Sequence, residues 1–104
     1  MQDNEELNEL IAGSEFLMEG LDKGFWRLIK LIEPEIWTNI PGSTSEYAWV
    51  VAIMGNYCIS YDDVTNHFFI ASYSLHGELS TKLQYQHELH YLIPQILNSR
   101  YVIN

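Results

Sequence analysis

A chain of 104 residues, 47% of them hydrophobic, is long enough for one modest core and too short for two, so the reading is a single domain over residues 1–104. Fourteen acidic side chains against five basic ones give a formal net charge of −9. Such a surface repels phosphate, which argues against nucleic acid and anionic membranes as partners and for a cationic protein.

The charge is unevenly spread. Residues 1–22 carry seven acids and no base, and residues 31–81 carry six acids and no Lys or Arg. Solubility alone is the ordinary use of such charge, and it stands beside the partner reading with equal weight. The single cysteine, Cys58, has no internal partner and suits a reducing cytoplasm. The acidic N-terminus does not look like a signal peptide, and no apolar run reaches the roughly 20 residues of a membrane span. A cytoplasmic location is therefore expected.

In chain order, Asp3 or Asn4 can cap a first helix, with Glu5, Glu6 and Glu9 near its positive end and Leu7, Leu10, Ile11, Leu17 and Met18 at helical spacing. Gly13-Ser14 is where it could break, and Gly20 ends it. A second helix is predicted from Lys23 to Glu33, capped by Asp22 and stopped by Pro34, with Phe25, Leu28, Ile29 and Ile32 as its buried stripe. Residues 35–45, with Pro41, Gly42, Ser43, Thr44 and Ser45, read as a loop, and Ile36 and Trp37 as residues tucked under the sheet or a short edge segment.

A three-stranded antiparallel meander follows and organises the chain. Tyr47 to Met54 and Tyr57 to Asp62 flank the two-residue turn Gly55-Asn56, and Asp63 to Asn66 lead into His67 to Tyr73. Pairing across the first turn puts Met54 opposite Tyr57, Ala52 opposite Ile59, Val50 opposite Tyr61 and Trp49 opposite Asp62. One face then forms the core. The other carries Trp49, Val51, Ile53, Cys58, Ser60, Asp62, His67, Phe69 and Ala71, and is expected to be half covered by helices at its Ile53–Cys58 end. A last helix, capped by Ser80 or Thr81, takes Leu83, Leu89, Ile93, Ile96 and Leu97 as its stripe, with a kink or break near Tyr91 to Ile93 imposed by Pro94. The tail Tyr101-Val102-Ile103 could dock or fray.

Chemical motifs are weak. His87 and His90 share a helix face, but their spacing is not that of HExxH and no third ligand declares itself, so no metal is expected. Cys58 lies mid-strand rather than at a helix start, and Asp62-Asp63 are what a turn recruits, so neither points to catalysis. The six glycines match no phosphate loop, and no cofactor is expected. What remains is acid beside aromatic. Glu46, Tyr47, Trp49, Tyr61, Asp62 and Asp63 gather at one end of the hairpin, with His67 and Phe69 on the adjoining strand. Such a cluster can enter a basic cleft as a phosphate decoy while its rings bury apolar area. It can equally be core tyrosines with wet hydroxyls and turn carboxylates.

In a small, strongly acidic α+β chain, the segment Tyr57-Cys58-Ile59-Ser60-Tyr61-Asp62-Asp63-Val64-Thr65-Asn66-His67-Phe68-Phe69-Ile70 resembles bacterial immunity proteins, particularly those of contact-dependent growth inhibition systems. The resemblance is one of layout across most of the chain and carries no residue roles with it. It implies a cytoplasmic, non-catalytic protein that binds the C-terminal toxin domain of a cognate exoprotein, often a nuclease, and blocks its active site. The expectation is an α+β fold of two N-terminal helices, a three- to four-stranded antiparallel meander and a C-terminal helix packed on the sheet. The expected function is neutralisation of a basic toxin, an RNase or other nuclease, through Glu46, Tyr47, Trp49, Tyr61, Asp62, Asp63, His67 and Phe69. The alternative is a small acidic regulatory or adaptor domain, with homodimerisation through the sheet face, and an enzyme using His87, His90 or Asp62 is a further rival.

Overall fold

The computed structural model describes residues 4–98. The elements run α1 (Asn4–Leu17), α2 (Gly20–Ile29), β1 (Lys30–Thr38), β2 (Tyr47–Met54), β3 (Tyr57–Asp62), β4 (His67–Ser72), β5 (Thr81–Gln86) and α3 (Leu89–Leu97). The sheet is antiparallel in the order β1-β2-β3-β4-β5, so the α+β architecture expected from the sequence is the one observed, with α3 packed on the sheet. Among the described residues no helix is long and apolar enough to cross a membrane.

The helix α1 is continuous through Gly13-Ser14 and buries Leu7, Ile11 and Ser14 at helical spacing. It stops at Leu17, before the glycine expected to end it. Gly20 instead opens α2 with φ of 57°, a left-handed value that costs glycine little and lets the chain reverse. Glu19, not Asp22, occupies the cap position of α2 and makes no side-chain capping bond.

The predicted second helix is cut short. After Ile29 the chain becomes β1, because Ile29, Leu31, Ile32 and Ile36 fit an extended edge as well as a helix stripe. Pro34 does not stop a helix. It lies in the stretch that the pairing skips, since Lys30 faces Ala52 and Glu35 faces Val50, so its missing N–H is not asked to bond.

The middle of the sheet follows the expected register up to one residue. Met54 pairs with Tyr57 and Ala52 with Ile59, but Val50 then pairs with Ser60 and Trp49 with Tyr61. Val51 is the extra residue of a β-bulge, and a one-residue slip moves every side chain beyond it to the opposite face. Trp49 and Val51 therefore join Met54, Ile59, Tyr61, Phe68 and Ile70 under the helices, packed with Leu7, Ile11, Trp26, Leu89, Leu92, Ile93 and Ile96. Ala48 and Val50 join Cys58, Phe69 and Ala71 on the other face.

That second face is closed, though not by helices as expected. Trp37 and Leu79 complete its apolar cluster, and the Trp37 ring meets Tyr73 edge-on at 5.1 Å. The sheet curls until the segment before β5 bridges its two ends. Thr38 N–H bonds Gly77 O (2.9 Å), Leu79 N–H bonds Thr38 O (2.9 Å) and Ser80 N–H bonds Ser72 O (2.8 Å).

The last helix is also shorter than predicted. Residues 81–86 alternate in a fifth strand, with Lys82 opposite Ala71 and Tyr85 opposite Phe69, and only Leu89–Leu97 are helical. Pro94 sits inside that helix without ending it; its missing N–H forfeits one bond to the His90 carbonyl, and burial of Leu89, Leu92, Ile93 and Ile96 outweighs the loss. The tail Tyr101-Val102-Ile103 and the Asp3 cap lie outside the described residues.

Candidate functional site

Of the eight side chains that the sequence brought together, the structure buries five. Trp49 and Tyr61 are neighbours on the helix-covered face, while Asp62, His67 and Phe69 belong to the second face. The bulge at Val51 explains Trp49, and the closure by Trp37 and Leu79 explains Phe69, which is 1% exposed. Glu46 and Tyr47 are exposed at the start of β2, and Asp63 is half-buried in the β3–β4 turn. A single bare patch built from all eight is thus not what the chain presents.

The turn itself is built by Asp62. Its carboxylate Oδ1 accepts the backbone N–H groups of Val64 (2.8 Å) and Thr65 (3.4 Å), and its carbonyl accepts Asn66 N–H (2.8 Å). Asn66 adopts φ of 56°, a conformation asparagine tolerates, and its Oδ1 accepts the Tyr61 hydroxyl at 3.1 Å. Asp62 is therefore a turn former. His67, opposite it, accepts a hydrogen bond at Nε2 from Lys82 Nζ (2.8 Å). Burial and the Lys82 charge hold the His67 imidazole below its usual range.

The turn forms one wall of a groove of about 520 Å³ between α1, the β3–β4 hairpin and the β5–α3 junction. Glu9, Leu10, Gly13 and Leu17 line it from α1, with Tyr61 and Phe68 from the sheet and Glu88 and His90 from the junction. The Tyr61 and Phe68 rings lie 4.8 Å apart. Tyr61 is pushed above the usual phenol range by burial first, then by the negative field of Asp63, Asp62 and Glu6. Among the described residues no Lys or Arg lines this groove.

Three of its side chains form a hydrogen-bonded row. His90 Nε2 lies 3.2 Å from Glu88 Oε2, and His90 Nδ1 lies 3.2 Å from Ser14 Oγ. With Nε2–H directed at the carboxylate, a neutral imidazole leaves Nδ1 to accept the Ser14 hydroxyl. The order serine, imidazole, carboxylate is that of a nucleophilic relay. Here the hydroxyl is buried on the inner side of a continuous helix, where the row ties α1 to α3. Sequence reasoning noted His90 beside His87 but had no means of pairing it with Ser14, 76 positions away. Among the described residues no group of three or more His, Cys, Asp or Glu is arranged to hold a metal ion.

The cations sit elsewhere. Lys23, Arg27 and Lys30 recur at helical spacing and border a second hollow with Glu15. Glu15 Oε2 accepts both Lys30 Nζ (2.6 Å) and Trp26 Nε1 (2.7 Å). Burial alone would raise the Glu15 carboxyl, but these two bonds outweigh it and hold the group below the usual carboxylate range. Cys58 is fully buried, and desolvation pushes its thiol up to about 11, which leaves it a packing residue.

No family model matches this chain. No curated protein and no solved structure matches it either.

Proposed function

We propose that this chain is a cytoplasmic, non-catalytic immunity protein that binds a cognate cationic toxin domain, a ribonuclease or other nuclease, and occludes its active site. The observation that carries the reading is a gathering of carboxylates around a groove that no described Lys or Arg lines. Glu6, Asp62 and Asp63 act together on Tyr61, Glu9 and Glu88 line the adjoining groove, and the described bases lie on α2, at the start of β1 and beside His67. A local negative field of this kind steers a basic partner toward the groove and raises its on-rate. Five of the eight residues first assigned to the contact are interior, so the proposed surface moves toward α1. Asp63 stays in it, with Glu46 and Tyr47 along the rim.

The test is co-expression with the toxin domain that the cognate exoprotein carries. The Glu9→Lys, Asp63→Lys, Glu88→Lys variant is expected to associate about 10- to 100-fold more slowly at low salt and to lose protection of growing cells. Undiminished protection would remove this surface as the site. Asp62 is left intact because it builds the turn.

A second reading, a small acidic adaptor or regulatory domain acting as a homodimer, is favoured by one observation. Leu21 and Leu28 on one face of α2 are each 85% exposed, and Ile32 on β1 is 101% exposed, apolar surface that a second copy could cover. Pairing through the sheet face is no longer the route, since that face is closed. Sedimentation at increasing concentration separates the two: the inhibitor stays monomeric, the adaptor does not.

A further inference from the structure

We infer that the groove between α1 and the β5–α3 junction takes one arginine side chain from a basic protein partner. The inference rests on the inhibitor reading for the identity of that partner, but its test does not. A long side chain has apolar wall to lie along, because Leu10 and Leu17 line the groove while staying largely exposed. The Tyr61 and Phe68 rings, a tilted pair 4.8 Å apart and almost wholly buried, close the inner wall of the groove, so the head of that side chain is left to the carboxylates at the rim. Carboxylates stand on either side, Glu9 on α1 and Glu88 at the junction, and a carboxylate accepts paired N–H donors from a guanidinium in a way an ammonium cannot reproduce. Gly13 leaves the α1 wall open, with no atom within 4 Å of where a side chain would begin.

The occupant's chemistry follows from what the groove excludes and offers. An anion would meet Glu9, Glu88 and the field that already acts on Tyr61. A small cation would leave the apolar wall of Leu10 and Leu17 uncovered. His90 is held between Ser14 and Glu88, so its imidazole is fixed at the groove's edge. The positive end of α3 is offset by Glu88 at its cap position. An arginine presented by a partner and buried in such a pocket is the kind of anchor that dominates protein interfaces.

The experiment is an amide chemical-shift titration of the full chain with acetyl-Gly-Arg-Gly-amide, and in parallel with the citrulline peptide, which keeps the shape and loses the charge. The expected result is saturable shifts centred on Gly13, Ser14, Tyr61 and His90 with the arginine peptide and little response to citrulline. Glu9→Gln, an exposed position on a continuous helix, is expected to weaken arginine binding roughly fivefold, while Glu33→Gln, exposed on β1 and away from the groove, leaves it unchanged. Equal response to both peptides, shifts scattered over all the acidic residues, or indifference to Glu9→Gln would overturn the assignment. If the peptide binds but the chain protects no cell, the groove stands and the inhibitor reading falls; if the chain protects and the peptide does not bind, the reverse holds.

Discussion

Truncating Phe69 to alanine decides whether this ring belongs to an interface, as its neighbours in the sequence suggest, or to the protein's own interior. Its side chain is 1% exposed, packs with Trp37, Val50, Cys58 and Leu79, and lies under Lys82 Nζ at 5.0 Å. Removing a buried phenyl loses its transfer energy and leaves a cavity that the surrounding sheet fills only partly, a loss of about 3–5 kcal/mol. A domain of this size has roughly 5–15 kcal/mol in total, so a large fraction of the stability goes with one ring. With a urea slope of about 1–3 kcal/mol per molar, the unfolding midpoint falls by at least about 1 M. Tryptophan fluorescence during urea titration is the assay, with Val64→Ala, an exposed turn substitution, expected to stay within about 0.5 kcal/mol of the parent. A loss under about 1 kcal/mol for Phe69→Ala, at unchanged slope, would refute the enclosed second face and return the ring to the surface.

Asp62→Ala removes the acceptor of the Val64 and Thr65 N–H groups and is expected to cost about 1–2 kcal/mol in calorimetry, while Asp62→Asn, which keeps an accepting oxygen, recovers most of it. The His67 imidazole titrates below its unfolded value of 6.5 in the folded state, first through burial and then through Lys82. Its contribution to stability is therefore complete above pH 6.5 and is lost as pH falls toward the lowered value. In the His67→Gln variant the urea midpoint should decline less over that range. For Cys58 the sign is opposite: the folded thiol titrates near 11 against 9.0 unfolded, so stability should fall as pH climbs through that window and fall less in Cys58→Ala. At neutral pH the thiol should react with a disulfide reagent only as fast as the protein opens.

The central hairpins were legible because turn chemistry and alternation agree there. Gly55-Asn56 and Asp62 to Asn66 set β2, β3 and β4 within a residue of where they lie. The strands flanking them were not, for reasons visible in single residues. Ile29, Leu31 and Ile32 satisfy helical and extended spacing alike, and Pro34 reads as a helix stop unless the partner strand is known to skip it. Leu83 extended a helical stripe that truly begins at Leu89, and only pairing with β4 reveals it as part of a strand. The site suffered most from the bulge at Val51, which no local residue type announces. That single insertion carried Trp49 inward beside Tyr61, where its indole N–H finds no partner among the described residues. Glu46 and Asp63 escape full burial because they flank the strands, and Tyr47 is exposed as the first residue of β2. The Ser14–His90–Glu88 row needed the packing of α1 on α3, which sequence periodicity cannot supply.

The bridge from Thr38 to Gly77 and Leu79 also has a meaning for how the chain is made. The first strand cannot gain its final neighbour until the whole meander and the bend beyond Tyr73 have left the ribosome, since the groups that bond Thr38 come after them. Long-range closures of this kind raise contact order and are reached late. A nascent chain stalled before Gly77 should hold the three middle strands loosely and expose Trp37 to chaperones; release past Ser80 lets the second face close, while the first waits for α3.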